Sequence, residues 1–456
     1  MTNTSKKNRD TNTDNILTKS SILKIIEEND IKFIRLQFSD MFGKVKNVVV
    51  PARRIEAIID NNALFDGSSV DGFVRIEESD MYLKPDLSTF VILPEEIHQG
   101  KSARFICDVY QTNGEAFLGD PRQILKRVLS EAASMGFNVC NVGPEMEFYL
   151  LQTDEHNKPL LEKFDNGSYF DLGPDDIGEL ARQNMMIALE NMGFNVEMAH
   201  HENGSSQHEI DFHYTDALKA ADQVMTFKYV VKACAASMSL HSTFMPKPFF
   251  GEAGSGMHCN ISLEKNGSNV FFDESDELGL SIIAKQFLAG IMSHAKAITA
   301  ITNPTVNSYK RLVPDFEAPC YIAWSAKNRS PLVRVPTASK SSVRLELRSP
   351  DPACNPYLAF AVILAAGLDG IKNKLDLCPS VNENIFAMHE AKRRMLNIEA
   401  LPKTIDEALR ALSEDKVILD CLGEHISTQF SRAKSLEWKD YNQKISQWEI
   451  DRYLDY

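Results

Sequence analysis

Ten residues near the middle of the chain, Val142-Gly143-Pro144-Glu145-Met146-Glu147-Phe148-Tyr149-Leu150-Leu151, constrain its fold more than any other stretch. Read with a period of two, they set Glu145, Glu147 and Tyr149 on one face of a strand and Met146, Phe148 and Leu150 on the other. The two carboxylates then stand roughly 7 Å apart along the strand, a separation that a pair of hard cations could share. The pattern returns in Gln207 to Tyr214, with Glu209, Asp211 and His213 on one face, and in Gly256 to Leu263, with His258, Asn260 and Ser262. It returns again in Ser342 to Leu347, where Arg344 and Glu346 lead on to Arg348. Any one such strand is most simply a solvated outer face. Four together, rich in Glu, His and Arg where solvent faces favour Lys and Thr, predict a curved sheet whose concave face is a polar site.

A length of 456 residues implies two or three domains, one of them large. The net charge of −14 argues against nucleic acid as a direct partner, because phosphate binding needs clustered Lys and Arg. No apolar run approaches the ~18 residues of a membrane span, so no membrane partner is expected. Eight cysteines lie far apart without a Cys-x-x-Cys pair, which suggests neither a zinc ribbon nor a disulfide framework and fits a reducing cytoplasm.

Residues 1–15 are polar, lack the apolar core of a secretory signal, and read as a disordered tail. A short helix over 16–29 leads into a hairpin built on Ile34, Leu36 and Phe38 and returning through Val50. Asp40 at its tip is either a turn former or a functional group. These elements, with strands ending near Cys107, make a small α+β unit over 16–115. The polar linker 111–119 marks the boundary to a large domain, 116–456. Asp120-Pro121 starts a helix, Ile177 to Met192 forms another, and both run into Met-Gly-Phe-Asn-Val and a strand. His200-His201-Glu202 reads as a loop. The 303–334 stretch, carrying Lys310, Arg311, Arg329 and Arg334, reads as a long functional loop; its cations are surface charge or, beside an acidic face, anion holders. Residues 353–375 form a buried helix, and 404–456 an amphipathic helical end.

Several Glu residues with one His offer hard oxygen ligands and a single imidazole, a set that suits two Mg2+ or Mn2+ ions better than zinc. Two such ions beside Arg residues are the parts that stabilise a transferring phosphoryl group, so ATP is the expected donor.

Asp66-Gly67-Ser68-Ser69, Gly143-Pro144-Glu145, Gly254-Ser255-Gly256-Met257-His258, Asn307-Ser308-Tyr309-Lys310-Arg311 and Arg344-Leu345-Glu346-Leu347-Arg348 follow the order and spacing of type I glutamine synthetases. From about Ile22 onward the chain resembles that family, most closely its alpha-type, Gram-positive bacterial members. The resemblance implies an α+β fold, with a small β-grasp domain before a catalytic domain of curved antiparallel sheet and flanking helices, in a homo-dodecamer of two stacked hexameric rings. It implies one metal ion on Glu147, Glu202 and Glu209 and another on Glu145, His258 and Glu346. L-glutamate would meet Gly254, Arg311, Glu317, Arg329 and Arg348, and ATP would meet Glu197, Asn260, Ser262, Arg329 and Arg334. Asp40 would reach from a neighbouring subunit towards ammonium, with Glu317 on a flap that closes the pocket; the expected product is L-glutamine, formed through an acyl phosphate. The segment Asn203-Gly204-Ser205-Ser206 and Ala253 depart from the family pattern, so contacts made there by backbone should survive and those made by side chains should not.

A sister ligase that joins glutamate to a polyamine would share the metal and ATP residues but should lack Asp40 and Glu317. A non-enzymatic member should lack a metal ligand, and none is missing. Phe386 stands where longer type I enzymes carry a modified Tyr, so that switch is expected to be absent. The resemblance instead implies feedback inhibition by glutamine with Arg75 as a regulatory residue, and a nitrogen-responsive transcription regulator as a protein partner.

Overall fold

The computed structural model describes residues 17–70, 72, 80–94, 100–163, 165–328, 330–337 and 342–456. The tail 1–15 and the expected site residues Arg75 and Arg329 lie outside these.

The chain opens with the helix Lys19–Glu28, started by a capping box between Thr18 and Ser21, and buries Ile22 and Ile26 on one side. Among the described residues six strands follow: β1 (Phe33–Ser39), β2 (Val45–Pro51), β3 (Ala63–Asp66), β4 (Asp80–Pro85), β5 (Val91–Ile92) and β6 (Ser102–Gln111). They form one sheet in the order β2-β1-β6-β4-β3, with β5 also on β6. β1 runs parallel to β6 and antiparallel to β2. Ile34, Leu36, Phe105 and Leu83 pack beneath the helix as a separate small core. The expected hairpin is present, Ser39 facing Val45 across its end.

Among the described residues ten strands make the second sheet: β7 (Val139–Gln152), β8 (Val196–His201), β9 (Gln207–Phe212), β10 (Thr215–Asp216), β11 (Leu240–Thr243), β12 (Met257–Lys265), β13 (Ser268–Asn269), β14 (Trp324–Ser325), β15 (Val333–Arg334) and β16 (Leu345–Leu347). Seven of them run in the order β14-β15-β16-β12-β7-β9-β8, with β10 and β11 also on β7 and β13 on β12, all antiparallel except for β14 with β15. Helices Pro121–Ser134 and Ala217–Ser237 lie against β7, and Pro356–Lys372 packs on both. That last helix is buried along nearly its whole length, as its apolar sequence predicts. Its Gly370 faces Gly290 of the helix Ile282–Ser293 so closely that a Cβ on Gly370 would sit 2.1 Å from the Gln286 carbonyl oxygen, which only two glycines allow.

Three sequence expectations need correction. His200 and His201 end strand β8 and do not form a loop, because β9 pairs with them in register. The last acidic strand is shorter than the alternation from Ser342 implies: its pairing with β12 begins only at Leu345 and with β15 only at Glu346. Helices 217–237 and 282–302 were not anticipated; apolar residues around much of their circumference blur the amphipathic period.

The two sheets are joined through a buried cation. The Arg122 guanidinium, 3% exposed, pairs with Asp86 at 2.8 Å, Asp108 at 2.7 Å and Asp222 at 2.9 Å. Asp222 also accepts from the Tyr357 hydroxyl at 2.6 Å. Removing the cation strands carboxylates that have little access to water. Arg122→Ala should therefore cost about 3–5 kcal/mol, read as a lowered urea midpoint with an unchanged slope; an unchanged midpoint would show that the junction does not depend on it.

Candidate active site

Cross-strand register assembles the acidic face. Glu145 on β7 stands opposite Asp211 on β9 and His258 on β12, while Glu147 stands opposite Glu209. Asn260 on β12 faces Glu346 on β16. On the reverse side Met146, Phe148, Ile210 and Phe212 are buried, Phe148 lying 6.2 Å from the Phe227 ring of the helix beneath. The apolar half of each alternation thus fixes which way the carboxylates point.

Two groups of ligand atoms result, the atoms of each lying within 4.8 Å of one another: Glu145, His258 and Glu346, and His200, Glu202 and Glu209. His258 Nδ1 is 3.1 Å from Glu145 Oε2 and its Nε2 is 3.8 Å from Glu147 Oε1, so it sits between the two β7 carboxylates. His200 is 3.5 Å from Glu202 and 3.7 Å from Glu209. Glu147 Oε2 accepts from the Gln207 amide and the Gly256 backbone, each at 2.9 Å.

Among the described residues the positive charge on this face gathers at one end, where Arg334 and Arg348 pair with Glu346. Burial and the nearby Glu147 push Glu202 up to about 8, burial and Glu145 push Asp211 to about 7, and burial together with Asp211 and Glu147 raises Glu209 well above the usual carboxylate range. Burial works against ionisation of Glu145 too, yet hydrogen bonds from His258 and Asn260 and the field of Arg348 hold it at about 2. Burial lowers the pKa of His200, leaving a neutral imidazole able to ligate. Crowded carboxylate oxygens short of cations, with imidazole at two points, fit hard divalent ions.

Cavities flank this strip on either side. One, of about 300 Å³, is lined by Glu147, Glu202, Gly254, Arg311, Glu317 and Arg348 among others. The other, of about 320 Å³, is lined by Glu145, Asp211, Glu197, Asn260, Ser262 and Arg344 among others. Glu145, His258 and Glu346 form one ligand group as expected, whereas in the other His200 joins Glu202 and Glu209 and the expected Glu147 lies outside the group, 3.8 Å from His258; the described glutamate-side residues line one cavity, and Glu197, Asn260 and Ser262 the other. Arg334 does not line the second cavity; its guanidinium donates to Glu346 at 2.8 Å. Part of Arg311 is committed to the chain itself, donating to the carbonyls of Ser349, Pro350 and Arg348. Asp40 lines neither cavity. It is fully buried, its Oδ1 accepts from the backbone of Phe42 and Lys44, and Lys46 lies 3.2 Å from Oδ2, so within its own chain it is the turn former.

Tyr149, expected beside the two Glu residues, is wholly buried and donates its hydroxyl to the Ala253 carbonyl at 2.6 Å. That contact is made by backbone and so is indifferent to the side chain at 253. Gly204 is required where it stands, since a Cβ there would lie 2.1 Å from the Tyr149 oxygen. Sequence reasoning gave no role to His200, Gln207 or Asp211. The alternation placed Asp211 on the right face; His200 and Gln207 needed the β8–β9 register to be found.

An acidic sheet face between two cavities, behind a small β-grasp unit, is the site of a metal- and ATP-using ligase, and comparison with known proteins gives the same class. The family model for the glutamine synthetase catalytic domain matches residues 118–453, and that for its beta-Grasp domain matches 30–112. The chain is 55% identical to glutamine synthetase of Staphylococcus aureus strain MW2, over 96% of this chain and 98% of that one. It is 54% identical, with the same coverage, to the enzyme of Staphylococcus epidermidis. Among solved structures, the GmaS/ADP complex matches with a TM-score of 0.86 at 33% identity, over 95% of this chain and 99% of that one. A cryo-EM structure of Plasmodium falciparum glutamine synthetase matches with 0.85 at 27%, over 96% and 98%. The chain belongs to the type I glutamine synthetase family. It catalyses ATP-dependent synthesis of glutamine from glutamate and ammonia, a reaction of nitrogen assimilation that uses a divalent metal.

The raised carboxyl pKa values carry a pH signature. Glu202 and Asp211 titrate from ordinary values of 4.5 and 3.8 and reach about 8 and about 7 in the fold. The folded protein thus binds these protons more tightly, and the stability they confer is complete below about pH 4 and lost as pH rises through about 8. Divalent ions replace the protons, so the rise in melting temperature on adding Mg2+ to EDTA-treated protein should grow between pH 6 and 8.5. A metal-induced shift that is flat across that range would contradict the assignment.

Proposed function

We propose that two divalent ions, Mg2+ or Mn2+, bind this face, one held by Glu145, His258 and Glu346 and the other by Glu147, Glu202 and Glu209. When bound they would supply Lewis-acid neutralisation of the phosphoryl group. The observation that carries the reading is the crowding of carboxylates between two cavities, which leaves a cation deficit where the two substrates would meet.

L-glutamate occupies the cavity of Gly254, Arg311 and Arg348, with Arg329 contributing. The buried guanidinium groups of Arg311 and Arg348 fix its carboxylates by charge-assisted hydrogen bonds. ATP enters from the side of Glu197, Asn260 and Ser262, with Arg329 and Arg334 near its phosphates. The glutamate side-chain carboxylate attacks the γ-phosphorus, ADP leaves, and ammonia displaces phosphate from the resulting acyl phosphate. Glu317 accepts a proton from ammonium and its flap excludes water. Asp40 completes the ammonium site across a subunit boundary in a dodecamer of two stacked hexameric rings. Being a turn former in its own chain is compatible with this, because the turn fixes its direction.

Glutamine feeds back on the enzyme through Arg75, and a nitrogen-responsive transcription regulator is a candidate protein partner. The protein works in the cytoplasm; its eight cysteines are all free thiols. Among the described residues no helix is long and apolar enough to cross a membrane.

The direct test is phosphate release by purified protein, which should require glutamate and ammonium together for full rate. Glu147→Ala and Glu346→Ala should abolish it, by about 10³-fold or more, while the assembled fold persists. Phosphate release indifferent to glutamate, or a variant that keeps most of its turnover at saturating Mg2+, would overturn the reading.

Subunit sharing has its own signature. Mixed assemblies of Asp40→Ala and Arg348→Ala subunits should recover activity that neither variant has alone, since some shared sites are then whole; verified mixed rings without recovery would contradict the shared site. For feedback, Arg75→Ala should raise the glutamine concentration for half inhibition with synthesis nearly intact, and superimposable inhibition curves would remove Arg75 from regulation.

A further inference from the structure

One cation beside the glutamate-side cavity has no part in the chemistry above. Lys247 is 9% exposed, and its ammonium meets no carboxylate at ion-pair distance among the described residues. It donates instead to the backbone carbonyl of Glu252, on the loop that lines the cavity through Gly251 to Gly254, and sits 3.6 Å above the centroid of the Phe316 ring. Its backbone is fixed as well: its N–H donates to Asn307 Oδ1 at 2.7 Å, and its carbonyl accepts from Asn307 Nδ2 at 3.0 Å. Lys247 therefore touches three walls of the site: the glycine loop, the segment leading to Arg311, and the flap.

The flap itself is strained. Asp315 and Glu317, on either side of Phe316, have φ of 74° and 58°, the left-handed region that side chains other than glycine's disfavour. Both line the cavity with Phe316 and Ala318. Such backbone persists only where its surroundings over-determine it. A half-desolvated ammonium over an aromatic face is one such constraint, and it acts on the one residue between the two strained ones.

We propose that Lys247 is a positioning residue, pinning the closed flap through Phe316, and that the pin couples ATP consumption to glutamine formation. This rests on the flap and acyl-phosphate reading above. With the flap released, water reaches the acyl carbon in place of ammonia, the C–O bond to the phosphoryl group breaks, and glutamate and phosphate leave with one proton passed to solvent. The net leak is ATP plus water to ADP, phosphate and a proton, and it needs no further reactant.

Lys247→Met keeps the length of the side chain and removes its charge, Phe316→Leu removes the ring, and Phe316→Tyr keeps it. Phosphate and glutamine are measured in the same reactions, and amide hydrogen exchange is followed over 313–318 in the assembled protein. Wild type and Phe316→Tyr should yield one phosphate per glutamine. Lys247→Met and Phe316→Leu should yield more than one, with flap exchange about tenfold faster, the change expected on losing a contact of this class. The double variant should be no worse than either single, because both remove one interaction. Strict one-to-one stoichiometry and unchanged flap exchange in Lys247→Met, or a double variant showing the product of the single effects, would overturn the pin. Should Lys247→Met fail to assemble, Phe316→Leu against Phe316→Tyr decides the same question. Faster exchange in a protein whose wild type releases no glutamate-dependent phosphate would place the failure in the functional reading, since exchange reports the pin without any turnover.

Discussion

Repulsion among carboxylates that the backbone will not let separate governs this site. Glu145, Glu147, Glu209 and Asp211 stand on β7 and β9, whose reverse faces are packed with Met146, Phe148, Ile210 and Phe212. Rotating either strand to relieve the repulsion would turn those apolar side chains out of the core, at a cost of several side chains' worth of burial, each about 1.5–3 kcal/mol. The strands hold, and burial, reinforced by that repulsion, raises the carboxyl pKa values of Glu202, Glu209 and Asp211. A cation relieves this more effectively than a proton, because it can serve several oxygens at once.

The surrounding architecture serves to hold that face still and to bring the remaining groups to it. Arg122 ties the small sheet to the helices under the large one, and Asn355, the cap of the buried helix 356–372, donates to the Asp40 carbonyl at 3.0 Å. The Asp40 turn is thereby referenced to the same helical layer as the acidic strands, a rigidity that any site shared between subunits would need. On the cavity side the walls include loops, drawn together by contacts such as Tyr149 to Ala253, Gln207 to Glu147 and to Gly254, and Lys247 to Glu252, Asn307 and Phe316.

Much of this was legible in the sequence because strand alternation is a local code. Glu145 and Glu147 opposite Met146 and Phe148 announced both the core side and the acidic side, and the repetition at 207–214 and 256–263 announced a sheet. Register is not local, and that is where reading failed. His200 joins the ligand group only because β8 pairs with β9 after the tight turn at 203–206, and nothing in His-His-Glu itself distinguishes such a strand end from a loop. Helix 217–237 was missed for a related reason: buried on several sides, it lacks a single apolar stripe. The Lys247–Phe316 contact joins residues 69 positions apart through space, beyond the reach of any periodicity.

The central claim is that this crowded face exists to hold two divalent ions. Anomalous diffraction from crystals equilibrated with Mn2+, without nucleotide, tests it most directly. Two peaks per chain are predicted, one within ligand distance of Glu145, His258 and Glu346 and one of Glu147, Glu202 and Glu209. A single peak, or peaks away from these carboxylates, would contradict the account.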